Sequence, residues 1–267
     1  MIDGIEAITL DFGNTLVPFP AGPLAEVVRV TAERAARLVG CRADDFTTFW
    51  GEERLRQFAE EVPLGREADM DVRVARVLAR LRGRIVPPAG ERWDDVAIAA
   101  YSDPAEIGTI LSTYADAFVR HTPAPPEIEP MLGRLCLSYR LAILSNWPLA
   151  LAVERFSENA GWTKHLSAIV VSHRVGAIKP YQRIFEVAAA ELGVVSGPSI
   201  LHVGDDVGAD VLGAHNVGWR AAWVRLRPED SPLPTAPPAP DANPDLTIDS
   251  VLDLEAALAR PGLAFDK

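Results

Sequence analysis

The chain has 267 residues, of which 48% are hydrophobic, and its formal net charge is −11. That length allows one or two domains with a substantial core, and the negative charge argues against general binding to nucleic acid or to anionic membranes. Cys41 and Cys136 lie far apart without metal-ligand spacing, which favours a reduced compartment. No basic segment precedes the first apolar run, and no apolar stretch approaches the length of a membrane span. We therefore expect a soluble, cytoplasmic protein, and its oligomeric state stays open.

The first predicted element is a buried strand that stops at an acidic residue. The apolar run AITL is followed by Asp11-Phe12-Gly13-Asn14-Thr15, which places Asp11 at the C-terminal tip of the strand. In open α/β sheets, ligands bind in the crevice outside the carboxyl ends of the strands. Asp11 is therefore a candidate functional residue, although an aspartate here could also simply cap a turn.

Residues 21–121 follow helical rather than strand periodicity and are rich in Ala, Arg and Glu. Apolar stripes with helical spacing occur at 24–38, 46–62, 74–85, 93–101 and 104–120. This pattern predicts a helical bundle inserted after the first strand.

Three arginines of the third predicted helix, Arg73, Arg76 and Arg80, fall on one face, opposite the apolar stripe. A solvated cationic face is the expected interpretation, and a surface that recognises carboxylate or phosphate is the alternative.

The α/β pattern resumes after the stretch TPAPPEIEP, which predicts a stiff linker. The apolar run YRLAILS ends in Ser145 and Asn146, and the run SAIVVS is followed by a loop that carries Lys179 just before a proline. A helix is predicted over 181–192. These segments place further polar residues at predicted strand tips.

The next predicted strand, 200–204, ends at a second group of carboxylates, Asp205, Asp206 and Asp210. Two strand tips that present carboxylates to one crevice repel each other unless a cation lies between them, and oxygen ligands of this kind suit Mg²⁺. A strand at 221–226, an exposed Pro-rich loop at 228–245, a short edge strand and a helix at 252–259 complete the prediction.

Together the four motifs resemble those of the haloacid dehalogenase (HAD) superfamily: D-x-D-x-T, a strand-end Ser or Thr, a Lys, and G-D-x(3–4)-D. Here they read Asp11 to Thr15, Ser145, Lys179, and Gly204-Asp205 with Asp210. The resemblance implies an α/β fold. Its core would be a Rossmann-like parallel sheet formed by residues 1–20 and 122–267, and its cap would be an inserted all-helical domain of residues 21–121.

The resemblance also implies roles for individual residues. The implied catalytic residues are Asp11, Thr15, Ser145 and Lys179; Phe12 and Asn146 are the implied substrate-binding residues, and Asp11, the Gly13 carbonyl, Asp205 and Asp210 are the implied Mg²⁺ ligands. The expected activity is a Mg²⁺-dependent phosphohydrolase that forms an aspartyl-phosphate on Asp11 from a small phosphorylated metabolite. His173 and His202 are expected to be mainly structural. Trp147 is expected either to pack in the core or to line the ligand pocket, and the role of Asp206 stays open.

Gly13 departs from the family pattern because it replaces the second aspartate, which protonates the leaving group and activates water. General acid–base catalysis typically contributes about 10²–10⁴-fold, so we expect slower hydrolysis of poor leaving groups. A metal-independent dehalogenase-type or phosphonatase-type hydrolase and a binding protein without turnover are the alternatives. The acidic cluster at 205–210 calls for Mg²⁺ and therefore favours phosphate chemistry over halide chemistry. The absence of lysine from 18–121 counts against a phosphonatase with a cap lysine.

Overall fold

The computed structural model describes residues 4–86 and 95–259, without the side chains of 95–97. Its centre is a six-stranded sheet in the order β3-β2-β1-β4-β5-β6, and every adjacent pair is parallel. The strands are β1 (Ala7–Leu10), β2 (Arg140–Ser145), β3 (Ala168–Val171), β4 (Ile200–Gly204), β5 (Arg220–Val224) and β6 (Leu246–Ile248). In the central strand, Leu10 pairs with Ile143 of β2 and Val203 of β4. The tips of these three strands therefore meet at one edge of the sheet.

Helices fill the chain between and around the strands. Between β1 and β2 lie α1 (Ala21–Val39), α2 (Ala43–Glu60), α3 (Met70–Leu81), α4 (Asp95–Tyr101) and α5 (Pro104–His121). The others are α6 (Ile128–Leu135), α7 (Ala150–Asn159), α8 (Ser172–Val175), α9 (Gln182–Leu192), α10 (Leu212–Asn216) and α11 (Leu254–Ala259). The predicted fold class, a Rossmann-like parallel sheet with inserted helices, is confirmed. The division into a core and a cap at residues 20 and 122 stays a prediction.

The ends of these helices follow from local chemistry. Asp69 accepts hydrogen bonds from the N–H groups of Asp71 and Val72 at the start of α3, which satisfies donors that a helix start leaves free. At the other end of α1, Gly40 has φ +71°, a left-handed conformation that glycine adopts without steric cost.

Three sequence expectations about the elements are wrong. The third helix ends at Leu81, and Ile85 is 92% exposed rather than part of its apolar stripe. Leu55, expected on the buried face of α2, is 66% exposed. The linker 122–130 is shorter than predicted because α6 already begins at Ile128. The predicted helix stop at 87–88 and the start of the 93–101 pattern lie outside the described residues.

An aromatic cluster joins the helical insertion to the sheet. The ring of Phe12, just after β1, packs against Phe19 at 5.8 Å, Phe118 of α5 at 6.2 Å and Trp147 after β2 at 5.6 Å. Each is at most 4% exposed. Aromatic pairs in such tilted and edge-to-face geometries add about 0.5–1.5 kcal/mol each beyond the area they bury. The inserted helices are thus packed directly behind the tip of β1.

The loop between α2 and α3, residues 61–69, lies on the loops that follow β2 and β3. The Gly65 carbonyl accepts a hydrogen bond from Ile178 N at 3.1 Å, and Met70 N donates to Pro148 O at 3.1 Å. Glu67 accepts a hydrogen bond from the Ser172 hydroxyl. These contacts place the inserted helices over the strand tips. In the described part of the chain, no helix combines the length and hydropathy that a bilayer span requires.

His173 of α8 forms an ion pair with the first turn of α3. Its Nε2 lies 2.8 Å from Asp71 Oδ2 and 3.6 Å from Asp69 Oδ1. Burial disfavours the charged imidazole, but the hydrogen bonds and charges of Asp69 and Asp71 outweigh it and raise the pKa of His173 to about 10. The histidine is therefore structural, as expected, and protonated at neutral pH.

We expect His173→Gln to lower the melting temperature at neutral pH by roughly 2–4 °C, about 1 kcal/mol, because glutamine cannot carry the positive charge. The folded-state pKa lies above the unfolded value of 6.5. The stabilisation is therefore complete below about pH 6.5 and is lost as the pH rises through about 10. Thermal unfolding of both proteins across this range measures the effect.

The matched control is His215→Gln, which removes a more exposed histidine 3.0 Å from Asp245. Its effect on the melting temperature should be smaller. A difference between wild type and His173→Gln that stays constant up to pH 10 would contradict the charge-based explanation.

Candidate active site

Lys179 is the centre of the group at the strand tips. Its Nζ donates to Asp11 Oδ1 at 2.7 Å and to the Leu144 carbonyl at 2.8 Å, and it lies 2.7 Å from Asp210 Oδ1. The residue is 3% exposed, so these three oxygens satisfy all its donors. Burial opposes its charge, but Asp11 and Asp210 outweigh burial and raise the pKa of Lys179. The predicted proximity of Asp11 and Lys179 is what the structure shows.

Asn146 holds the main chain of Lys179 in place. Its Oδ1 accepts from Lys179 N at 2.7 Å, and its Nδ2 donates to Lys179 O at 3.0 Å. Both polar atoms of the amide are therefore engaged within the protein. Asn146 positions the lysine in this structure, and substrate binding by Asn146 stays a prediction.

The remaining residues of the first two motifs also lie at this edge. Thr15 is 7% exposed, and its hydroxyl is buried with no hydrogen-bond partner in the described part of the chain. Ser145 is 1% exposed at the end of β2. The Phe12 side chain is fully buried in the aromatic cluster, so only its main chain could contact a substrate. Substrate binding by Phe12 stays a prediction.

Asp210 supports the lysine from behind. Its Oδ1 lies 3.1 Å from His202 Nε2, and its Oδ2 accepts from Asp206 N at 2.9 Å. His202 in turn lies 2.8 Å from the Thr9 hydroxyl through Nδ1. Burial works against the charge of Asp210, but Lys179 and His202 outweigh it and lower the pKa of this carboxyl. The histidine is thus structural, as expected, within a buried polar chain that ends at Asp11.

Glycine is required at position 204 for this arrangement. A Cβ there would lie 2.1 Å from Asp210 Oδ2, closer than any non-bonded contact allows. The glycine of the fourth motif therefore lets the Asp210 carboxylate lie flat against the end of β4.

Three carboxylates, Asp11, Asp205 and Asp210, share the two cations Lys179 and Arg227, so negative charge is in excess. Asp205 Oδ2 is buried without a hydrogen-bond partner among the described residues; Arg227 Nη1 lies 3.1 Å away but is not aligned for a hydrogen bond. Burial, then the charges of Asp11 and Asp210, raise the pKa of Asp205 to about 8. Burial also raises the pKa of Asp11 to about 6, although Lys179 counteracts it.

The carboxylates of Asp11, Asp205 and Asp210 fit a small divalent cation. Each offers an oxygen, and these oxygens lie within 4.8 Å of one another. An oxygen-only donor set, with one buried oxygen unpartnered, suits Mg²⁺ better than softer metals. A second acidic group, Asp69, Asp71 and His173, is already explained by its ion pairs.

The space beside Gly13 is apolar. A Cβ at this position would meet Leu233 Cδ1 at 2.6 Å, Trp147 Cζ3 at 3.4 Å and Phe19 Cδ2 at 3.8 Å. The place where a second aspartate would project is thus lined by carbon atoms. Gly13 does not have a left-handed φ, so the backbone itself would accept a side chain.

The loop between β5 and β6, residues 225–245, covers this part of the site. Ser231 Oγ receives a hydrogen bond from Asn14 Nδ2 at 3.1 Å, and Ala236 N donates to Asp206 Oδ2 at 2.6 Å. Asp206 also accepts from two N–H groups of the following turn, so it is a structural cap rather than a solvated residue. The Pro-rich composition predicted an exposed linker, and no periodicity indicated these contacts.

A family model for haloacid dehalogenase-like hydrolases matches residues 5–218. The chain therefore belongs to this family of enzymes, as its motifs indicated.

Individual relatives include phosphatases, and a dehalogenase is among the similar structures. The chain is 35% identical over 151 residues to a phosphoserine phosphatase from Thermus thermophilus. The aligned region covers 54% of this chain but only 56% of the relative. It is 26% identical over 262 residues to a glyceraldehyde 3-phosphate phosphatase from Methanopyrus kandleri, and the alignment covers 96% of this chain and 99% of the relative. A 2-haloacid dehalogenase structure from Pseudomonas syringae superposes with a TM-score of 0.65 at 21% identity, covering 96% of this chain and 98% of that one. The last match supports the fold alone.

We expect Lys179→Met to destabilise the metal-free protein by about 3–5 kcal/mol, because it leaves two buried carboxylates without their cation. Mg²⁺ should recover part of this loss, since a bound cation can neutralise the same carboxylates. Thermal unfolding with and without Mg²⁺ provides the measurement.

Lys164→Met is the matched control, because Lys164 is 64% exposed in its ion pair with Glu129 and should cost less than about 1 kcal/mol. Equal losses in the two variants would show that the Lys179 ion pairs do not hold the site together.

Proposed function

We propose that this chain is a Mg²⁺-dependent phosphohydrolase that acts on a small phosphorylated metabolite through an aspartyl-phosphate on Asp11. The observation that carries this proposal is the buried contact of Asp11 with Lys179 beside the buried carboxylate of Asp205, one oxygen of which accepts no hydrogen bond from the described residues. A nucleophilic carboxylate, a fixed cation and an excess of oxygen ligands are the elements that phosphoryl transfer requires.

In this mechanism, a carboxylate oxygen of Asp11 attacks the phosphorus, and the bond from phosphorus to the leaving oxygen breaks. Lys179 keeps Asp11 ionised and oriented, and it offsets the charge of the transferring group. The unpartnered hydroxyl of Thr15 and that of Ser145 are available to hydrogen-bond phosphoryl oxygens. Water then cleaves the acyl phosphate and regenerates Asp11.

Mg²⁺ would be held by Asp11, the Gly13 carbonyl and Asp205, with Asp210 supporting from behind. When bound, it would neutralise charge that develops on the phosphoryl oxygens. The names of two relatives, a phosphoserine phosphatase and a glyceraldehyde 3-phosphate phosphatase, support a small phosphorylated substrate.

A metal-independent dehalogenase-type hydrolase is the second candidate. The apolar lining beside Gly13 favours it, because a halide leaves without protonation and an alkoxide does not. The excess of carboxylates over cations at Asp11, Asp205 and Asp210 supports the phosphohydrolase instead, since halide displacement at carbon has no need of a cation site.

The deciding assay measures aryl-phosphate and 2-haloacid turnover with Mg²⁺ and with EDTA. We expect aryl-phosphate turnover that EDTA abolishes, and a loss of about 10³-fold or more in Asp11→Asn, because the amide is not nucleophilic. Asp205→Ala should weaken Mg²⁺ binding measured by calorimetry. Haloacid turnover in EDTA would establish the second candidate, and phosphate binding without turnover would point to a binding protein.

The apolar space beside Gly13 predicts a dependence on the leaving group. Wild type should hydrolyse aryl or acyl phosphates faster than alkyl phosphates. Because a Cβ at position 13 would meet Leu233 Cδ1, the end of a flexible side chain, Gly13→Asp should be most effective together with Leu233→Ala. In that double variant we expect alkyl-phosphate turnover to rise by about 10²-fold, and aryl-phosphate turnover to rise much less.

Leu233→Ala alone is the control for loosening of the loop, and melting temperatures of all variants test folding. Equal wild-type rates on alkyl and aryl phosphates would contradict the prediction and would require another proton donor.

A further inference from the structure

The inserted helices α2 and α3 carry arginines in two different states. Arg56, Arg76 and Arg80 each form an ion pair with Glu53, at 2.8, 2.6 and 3.1 Å. Arg54 and Arg73, on the same two helices, have no carboxylate within 4.0 Å in the described part of the chain. The expectation of a solvated cationic face is wrong, because Arg73 and Arg76 are 2% and 3% exposed.

Arg73 is a buried cation with only neutral partners. Its Nε donates to Gln57 Oε1 at 2.8 Å, its Nη2 donates to Ala68 O at 3.0 Å, and its guanidinium lies 5.0 Å from the Trp50 ring. No hydrogen bond from its Nη1 is found among the described residues. A buried charge is costly unless it is paired, so this arrangement has capacity for an anion.

Two nearby acidic residues do not supply that anion. Glu67 and Asp69 are close enough to act on Arg73 electrostatically, but Glu67 accepts from Ser172 and Asp69 is engaged by the start of α3 and by His173. Burial, above all, and the charge of Arg54 lower the pKa of Arg73 to about 10. The guanidinium is therefore still charged at neutral pH.

Arg54 and Tyr114 complete the cluster. Arg54 Nη2 donates to Pro232 O at 3.2 Å, and its guanidinium lies 4.8 Å from the Phe58 ring. Tyr114 of α5 is 5% exposed, and its hydroxyl has no hydrogen-bond partner in the part of the chain that the structure describes. Burial raises the pKa of Tyr114 to about 12, and both arginines act on it electrostatically. It is thus a hydrogen-bond donor at neutral pH.

Two chains of contacts connect this cluster to the Gly13 side of the active site. Arg54 binds the carbonyl of Pro232, and the next residue, Leu233, lies against Gly13. Tyr114 stacks on Phe118, which stacks on Phe19 beside Gly13.

A third connection runs through the loop between α2 and α3. Ala68, which binds Arg73, follows Glu67, and Glu67 contacts Ser172 after β3. The cluster therefore lies on the face of the inserted helices that is turned toward the strand tips.

We infer that Arg54, Arg73 and Tyr114 form a binding site for a carboxylate on the substrate, on the part that is released when Asp11 takes the phosphoryl group. The substrate class is then phosphorylated carboxylic acids. A carboxylate can accept two hydrogen bonds from a guanidinium and one from the tyrosine hydroxyl. The role of this carboxylate site in catalysis rests on the proposed phosphohydrolase function.

The test uses phosphono-carboxylates of several chain lengths, which cannot be hydrolysed at phosphorus. Each acid is compared with its carboxyl methyl ester, which lacks the negative carboxylate. We expect calorimetry with the wild-type protein and Mg²⁺ to show the best acid binding at least about 10-fold more tightly than its ester, since charge-assisted hydrogen bonds are lost in the ester. Arg73→Met, Arg54→Gln and Tyr114→Phe should each reduce this preference.

Arg82→Gln is the control for net charge, because Arg82 lies at the end of α3 in a surface ion pair with Glu106 and should keep the preference. If Arg73→Met does not fold, Tyr114→Phe, which removes only a hydroxyl, and the partly exposed Arg54→Gln still decide the question. Equal binding of acid and ester by wild type, or an unchanged preference in all folded variants, would overturn the inference.

Aryl-phosphate turnover in Mg²⁺ separates this inference from the proposed function, because an aryl phosphate carries no carboxylate. Turnover without acid preference would reject the carboxylate site alone. Acid preference without turnover of any phosphate would reject the phosphohydrolase and leave the carboxylate site standing.

Discussion

The buried ammonium of Lys179 between Asp11 and Asp210 is the interaction on which the rest of the site depends. Asn146 fixes the main chain of this lysine, and Gly204 leaves room for the carboxylate of Asp210. Two cations, Lys179 and Arg227, face three acidic side chains, so the strand tips keep an excess of negative charge. Burial, together with the charges of Asp11 and Asp210, raises the pKa of Asp205, and the excess of negative charge favours the binding of a cation.

The β5–β6 loop helps to fill the space beside Gly13, where the family pattern has a second aspartate. Gly13 is not simply an empty position, because Leu233 and two aromatic rings line the space beside it. The same loop contacts Asp205 through Arg227 and the inserted helices through Arg54. One Pro-rich segment thus contacts the space beside Gly13, the acidic cluster and the inserted helices.

The arginines of α2 and α3 differ in whether a carboxylate pairs with them. Glu53, together with Glu52 and Glu60, pairs with three of them, which makes their burial tolerable. Arg54 and Arg73 are left on the side toward the strand tips. The contrast between paired and unpaired cations within two helices indicates where an anionic ligand would be recognised.

The sequence by itself determined the parallel sheet, the inserted helices and the acidic strand tips, because buried strands and amphipathic helices have distinct periodicities and parallel strands end at a common edge. It could not decide the burial of Arg73, the positioning role of Asn146 or the contact of Leu233 with Gly13. Each depends on residues distant in the chain: Arg73 and Gln57 lie on different helices, Asn146 meets Lys179 across 33 positions, and the β5–β6 loop has no period that fixes its path. Local pattern determines the type of an element, whereas long-range packing decides the full extent of its buried face and which side chains share a site.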